Sequence, residues 1–184
     1  MQSTTAVGSL TLIIGPMYAG KTTELLKYIN KSNNQNRIVF KHKSDTRYQN
    51  NLVITHDNKY TSCFPISKCS EIFQSELLNK IKDIFIDEGQ FFDDLYESVD
   101  KLLKLNKNIY ISGLDGDYKQ EPFGNGDILK LIPKCDKLIK LYSKCFYSGE
   151  IAPFTKRITN DKEQVIVGSV DVYKPVSRYY LENE

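Results

Sequence analysis

Short apolar runs alternate with amphipathic stretches along most of this chain. Residues 10–14 (Leu-Thr-Leu-Ile-Ile) form a brief apolar run closed by Gly15-Pro16, which predicts a buried strand. Residues 21–30 carry Leu25, Leu26 and Ile29 on one helical face, and Asn33-Asn34 supply a stop. The runs 37–41, 83–86 and 109–112 predict further strands, and Leu95, Val99, Leu102 and Leu103 recur at helical spacing within 93–105. Residues 44–51 read as polar loop, and 52–54 with 59–63 as a short hairpin. Ser67 is placed to cap a helix reaching about Lys80, with Ile72, Phe73 and Leu77 turned inward. Strands alternating with helices predict a parallel sheet covered on both faces.

Past Gly113 the pattern changes. Residues 114–127 are rich in Gly and charge but hold Tyr118 and Phe123, 137–141 predicts another strand, and short strands at 154–158 and 165–167 follow Cys145. The chain therefore reads as an α/β core over 8–141 and a small β-rich lobe over 142–184. Its 184 residues suit one domain with an appendage, and 40% hydrophobic with 26% charged residues exclude wholesale disorder. The apolar runs fall far short of the about 20 residues that span a bilayer. Residues 1–8 carry neither a basic nor an apolar leader segment, so a cytoplasmic protein without membrane attachment is expected. A net charge of +2 gives no electrostatic argument for a nucleic-acid partner. Cys63, Cys69, Cys135 and Cys145 form no Cys-x-x-Cys pair; reduced thiols, and no structural zinc, are expected.

The candidate chemistry begins at Gly15-Pro16-Met17-Tyr18-Ala19-Gly20-Lys21-Thr22, which matches G-x-x-x-x-G-K-[ST] between a strand and a helix. Backbone N–H groups of such a loop, with the positive end of the helix, cradle phosphates. Lys21 is placed to reach the β- and γ-phosphates of ATP, and the Thr22 hydroxyl to ligate Mg²⁺. Such a site wants a carboxylate at the end of a neighbouring strand, which Ile84-Phe85-Ile86-Asp87 supplies. Glu88 follows; on extended backbone it faces away from Asp87, either as a general base for an acceptor hydroxyl or as a solvated loop acid. A GTPase is disfavoured because Asn106-Lys107-Asn108-Ile109 lacks the Asp of Asn-Lys-x-Asp. A two-motor helicase is disfavoured by length.

With the phosphate loop and Asp87-Glu88-Gly89-Gln90-Phe91-Phe92 together, the chain resembles type II thymidine kinases, the cellular and poxvirus kind. Asp45-Thr46-Arg47-Tyr48 with Thr55-His56-Asp57, Leu114-Asp115-Gly116-Asp117-Tyr118 with Pro122-Phe123-Gly124, Phe154-Thr155-Lys156-Arg157 and Asp171-Val172-Tyr173 extend the likeness over about residues 8–180. The resemblance implies a RecA-like phosphate-loop core and a C-terminal nucleoside lobe with a lasso-like loop. It implies transfer of the γ-phosphoryl of Mg·ATP to the 5′-hydroxyl of thymidine, or of deoxyuridine, in deoxyribonucleoside salvage for DNA synthesis. Glu88 is then the base, with Lys21 and Arg47 supplying charge. ATP falls to residues Gly15, Pro16, Met17, Tyr18, Ala19, Gly20, Lys21, Thr22, Asp45, Arg47, Asp87 and Gln90. Mg²⁺ falls to Thr22 and Asp87. The nucleoside falls to Met17, Phe91, Leu114, Tyr118, Phe123, Thr155, Tyr173 and the stretch Gln164, Val165, Ile166, Val167 and Gly168, whose main chain reads the pyrimidine edge; His56 orders its loop. A homotetramer and feedback by thymidine triphosphate are also implied.

The chain departs from the family pattern in places. Four zinc-ligand positions fall on Tyr142, Cys145, Ser177 and Tyr180, only one of which suits zinc, so a packed cluster of Tyr142, Phe146, Tyr179 and Tyr180 is expected to replace the metal. Ala19 stands where Ser is common, Tyr118 where Phe is usual, and extra residues fall near 149–153. Two other classes stay open: a non-catalytic nucleotide-binding or regulatory protein of the same fold, and a phosphate-loop ATPase serving a nucleic acid or protein partner.

Overall fold

A computed structural model describes residues 7–45, 51–54, 60–160 and 171–183. Its centre is a six-stranded sheet built from β1 (Ser9–Gly15), β2 (Arg37–His42), β5 (Phe64–Ile66), β6 (Asp83–Asp87), β7 (Asn108–Leu114) and β8 (Lys137–Lys140). The spatial order is β5-β2-β6-β7-β1-β8, and every pairing is parallel. Strand β7 thus lies between β1 and β6. The short hairpin expected after the polar loop is present as β3 (Leu52–Ile54) against β4 (Tyr60–Ser62).

The central strands are apolar on both faces because helices and loops cover both. Successive side chains alternate between two cores. Leu12, Ile14, Ile38, Phe40, Ile84 and Ile86 join one, completed by Leu95, Val99 and Leu102 of helix α2 (Leu95–Lys104). Ile13, Val39 and Phe85 join the other, completed by Leu25, Leu26 and Ile29 of helix α1 (Lys21–Lys31). A strand pattern and a helix pattern, each read independently, meet in the same two layers.

The helix expected from Ser67 to Lys80 does not form. The segment makes two 3₁₀ turns, Cys69–Gln74 and Glu76–Asn79. Asp94 takes the N–H groups of Cys69 and Ser70 at 2.8 and 2.9 Å, and Glu71 takes those of Ser67 and Lys68 at 2.8 and 2.9 Å. Ser75 breaks the run in extended backbone, its hydroxyl accepting from the Leu77 N–H at 3.3 Å. Ile72 is buried and Phe73 packs on the core as expected, but Leu77 is exposed because the second turn swings it off the core face. Strand β5 was not predicted, since Pro65 interrupts its three residues; it survives at the sheet edge, where a missing N–H costs no ladder bond.

After β7 come a short helix, α3 (Asp127–Lys130), and strand β8. Small antiparallel pairs follow: β9 (Ser143–Lys144) with β10 (Ile151–Ala152), and β11 (Phe154–Arg157) with β12 (Tyr173–Val176), closed by α4 (Arg178–Glu182). Cys145, Ala152 and Val176 form a small core of their own with Phe154, Tyr180 and Leu181.

Candidate active site

The C-terminal ends of β1, β6 and β7 converge on one site. Strand β1 delivers Gly15, residues 16–20 turn, and α1 begins at Lys21. Gly20 has φ +81°, a left-handed geometry that glycine adopts without a Cβ penalty. Tyr18 shares that geometry at φ 62°. The turn points the start of α1 at the space where phosphates bind in sites of this type. Lys21 Nζ donates across the loop to the Pro16 carbonyl at 2.7 Å. Two ties from the C-terminal hairpins hold the loop: the Met17 N–H donates to Thr155 Oγ1 at 3.0 Å, and the Ser143 hydroxyl to the Tyr18 carbonyl at 3.2 Å.

Thr22 and Asp87, the two residues assigned to Mg²⁺, lie side by side. The Thr22 hydroxyl lies 3.2 and 3.4 Å from the two Asp87 carboxylate oxygens. A hydroxyl and a carboxylate at a helix N-terminus are hard oxygen donors that suit Mg²⁺. The fully buried Ser112 hydroxyl on β7 also donates to Asp87 Oδ1 and fixes its orientation. Sequence reasoning missed Ser112; its only signal was a polar residue ending the apolar run 109–112.

Glu88 does not follow the strand alternation assumed for it. Its φ of 55° and ψ of 43° are left-handed, so a turn after β6, not pleating, aims its carboxylate. The 3₁₀ turn Gly89–Phe91 brings Gln90 back beneath it: Nε2 donates to Glu88 Oε2 at 2.6 Å, and Oε1 accepts the Leu114 N–H at 2.9 Å. Gln90, assigned to ATP by resemblance, thus bonds the carboxylate and the backbone expected on the acceptor side. Glu88 and Gln90 are both buried. Gly113 leaves room for this arrangement; a Cβ there would fall 2.5 Å from Ile128 Cδ1 and 2.7 Å from Gln90 Oε1. Asp45 is buried beside the buried Lys41, whose ammonium donates to the Asp45 carbonyl at 3.2 Å.

Aromatic groups assigned to the nucleoside gather nearby. Phe91 and Phe123 meet edge to face at 5.9 Å, with His42 5.8 Å from Phe91. Burial holds the His42 pKa below its ordinary value. Leu114, Tyr118 and Met17 are half-buried, and Thr155 and Tyr173 are buried. Tyr118 and Tyr173 both contact the Arg157 guanidinium, at 3.9 and 5.0 Å from Cζ to ring centroid. Arg47, His56, Gln164, Val165, Ile166, Val167 and Gly168 lie outside the described residues.

In the C-terminal lobe an aromatic cluster forms with a different membership. Tyr147 stacks on Tyr180 at 5.0 Å, Tyr179 meets Tyr180 at 5.1 Å and Phe146 meets Tyr147 at 5.3 Å. Tyr142 is exposed beside the Lys140 ammonium, in the two-residue link between β8 and β9, and takes no part in the cluster. Of the four zinc-ligand positions, only Cys145 offers a thiol, a donor set that does not fit tetrahedral zinc. Among the described residues no three His, Cys, Asp or Glu side chains gather as a metal site. Burial pushes the Cys145 thiol up, but the Ser148 hydroxyl and the N–H groups of Ser148, Ser177 and Tyr147 outweigh it and bring the pKa down to about 7.

A parallel sheet with a phosphate loop at the end of β1, a carboxylate at the end of β6 and helices on both faces defines a nucleotide-binding α/β enzyme core. The thymidine kinase family model matches residues 8–181, nearly the whole chain. A thymidine kinase of Oryza sativa subsp. japonica is 38% identical over 186 aligned residues, covering 96% of this chain and 68% of that protein. A thymidine kinase of Myxoma virus (strain Lausanne) is 36% identical, covering 93% of this chain and 94% of that one. A protein of Gallus gallus named thymidine kinase, cytosolic, is 32% identical, covering 93% and 75%. The chain belongs to the thymidine kinase family and is an enzyme of that kind.

Proposed function

We propose that this enzyme transfers the γ-phosphoryl group of Mg·ATP to the 5′-hydroxyl of thymidine, with Glu88 as general base. The observation that carries the assignment of Glu88 is its bond to Gln90, which aims a buried carboxylate from the turn after β6. In the reaction, the 5′-oxygen bonds to the γ-phosphorus as the β–γ bridging bond breaks. The hydroxyl proton passes to Glu88, and ADP leaves with the bridging oxygen. Phosphoryl transfer needs positioning and charge neutralisation above all. The phosphate loop and Lys21 hold the phosphates, with Arg47 as a further cation and Asp45 beside them. Thr22 and Asp87 would hold Mg²⁺, which when bound neutralises phosphate charge. Gln90, with one oxygen on Leu114, keeps Glu88 aimed while that segment forms a wall for the nucleoside.

The division of labour follows the sequence reading: residues 8–141 bind ATP and carry the base, and 142–184 complete the nucleoside site. Met17, Phe91, Leu114, Tyr118, Phe123, Thr155 and Tyr173 form its walls, and the backbone of 164–168 reads the pyrimidine edge. The biological setting is deoxyribonucleoside salvage in the cytoplasm, the compartment also named for the Gallus gallus relative, a cytosolic thymidine kinase. A homotetramer inhibited by thymidine triphosphate, without nucleic-acid or membrane partners, completes the proposal. No helix of the described residues is long and apolar enough to cross a membrane.

The test is transfer of labelled γ-phosphate to thymidine by the parent and by Glu88→Gln. Thymidine monophosphate from the parent, with a loss on the order of 10²- to 10⁴-fold in the variant, is expected for removal of a general base. No product alongside tight ATP binding would favour a non-catalytic protein of this fold.

A further inference from the structure

Arg157 lies two residues beyond Thr155 on β11, so the two side chains leave the strand on one face. Both are buried, at 7% and 5% exposure, while Lys156 between them is only half-buried and donates to the Tyr180 carbonyl at 2.7 Å. Arg157 stands directly opposite Tyr173 across the β11–β12 pair, where opposed side chains share a face. Its Nη2 donates to the Tyr173 hydroxyl, and its Cζ lies 5.0 Å from that ring's centroid. The Tyr118 ring covers the same guanidinium, at 3.9 Å.

Tyr118 comes from the other part of the molecule. It follows β7 in a turn fixed by the buried Asp117, whose Oδ1 accepts the N–H groups of Lys119 and Glu121 at 2.7 and 3.0 Å. One planar cation therefore joins the segment after β7 to the C-terminal hairpin, through the two tyrosines assigned to the nucleoside. A buried charge is costly unless it is held by partners of matching geometry. A guanidinium can stack on one ring while donating in its own plane; a lysine ammonium is a point charge and cannot do both.

We propose that Arg157 is a positioning residue that sets the nucleoside site by clamping Tyr118 to Tyr173. The inference deepens the thymidine kinase reading above and rests on it. Arg157 acts on nucleoside affinity, because the two rings it holds are Tyr118 and Tyr173, while the tie between the phosphate loop and this hairpin runs separately through Met17 and Thr155. Loosening the clamp therefore weakens thymidine binding and leaves ATP in place.

The experiment compares the parent, R157K, Y118L and the double variant in steady-state kinetics with thymidine and Mg·ATP, beside thermal unfolding and binding of a fluorescent ATP analogue. For R157K, a rise of about tenfold in KM for thymidine is expected from loss of a desolvated cation–π contact. KM for ATP and binding of the analogue stay within about twofold of the parent, inside the scatter of uncoupled sites. The R157K and Y118L effects on thymidine are less than additive, since each breaks the same contact. An R157K enzyme with unchanged thymidine KM overturns the clamp while leaving the kinase reading intact. So does a parallel shift of both KM values with a fall in melting temperature, or full additivity with Y118L. A parent that phosphorylates no thymidine overturns the kinase reading itself, and the clamp's role with it.

Discussion

Gln90 donates to Glu88 at 2.6 Å while holding the Leu114 N–H at 2.9 Å. One amide thus couples the direction of the proposed base to the start of the segment that carries Tyr118. Both groups are buried, so the pairing is specified by the turn after β6 and not by solvent-exposed chance contact.

Gln90→Leu keeps the volume but removes the donor that holds Glu88 Oε2 and the acceptor of the Leu114 N–H. A hydrogen bond to a charged group is worth about 1.5–3 kcal/mol, so kcat is expected to fall roughly tenfold or more. ATP affinity should stay near the parent's. Steady-state kinetics beside ATP-analogue binding check both.

Ser112→Ala removes the hydroxyl that orients Asp87. Outer partners of metal-holding groups typically contribute about 10- to 100-fold in affinity or activity. The expected result is a higher Mg²⁺ concentration for half-maximal rate with unchanged thymidine KM. A Mg²⁺ titration of product formation reads it, and a titration of ATP-analogue binding reads it without turnover.

Thr155→Val preserves shape and deletes the acceptor for the Met17 N–H. The stranded donor costs about 1–3 kcal/mol. Because the lost tie joins the phosphate loop to the hairpin, KM for ATP and for thymidine should rise together, with a lower melting temperature. This pattern distinguishes Thr155 from Arg157, whose loss is expected to move thymidine alone.

Cys145 gives a pH dependence. Its thiol lies near pH 7 in the folded protein, below its ordinary value, because the donors of Ser148, Ser177 and Tyr147 outweigh burial. A group whose folded pKa is depressed stabilises the fold above its unfolded pKa and loses that contribution as pH falls through the folded value. The melting temperature of the parent relative to Cys145→Ser is therefore expected to climb between about pH 7 and 9. A gap that stays constant over that range contradicts the thiolate. Thermal unfolding of both proteins across the range measures it.

The sheet and its flanking helices were legible because apolar runs and helical spacing are local properties. Leu12, Ile13 and Ile14, and Leu25, Leu26 and Ile29, lie in the cores that their spacing assigns them. The phosphate loop was legible because its glycines, lysine and threonine sit on one short segment whose chemistry requires that order. Asp87 followed from its position at the end of an apolar run. Local pattern could not show that Asp94, twenty-four residues or more away, takes the N–H groups of Cys69 and Ser70 and so helps hold that segment in 3₁₀ turns. Nor could it show the left-handed turn at Glu88, the Ser112 hydroxyl on Asp87, or the exchange of Tyr147 for Tyr142 in the aromatic cluster. Those features depend on which strands neighbour one another. Sheet order places β7 between β1 and β6, and the packing of the separate β11–β12 pair brings Arg157 against Tyr118, 39 positions earlier in the chain. Sequence determined the central strands, the two helices that cover them and the phosphate-loop motif, because these are written in short-range spacing. Tertiary structure decided the direction of the proposed base and the shape of the proposed nucleoside site, because contacts between distant segments form only once the chain has folded.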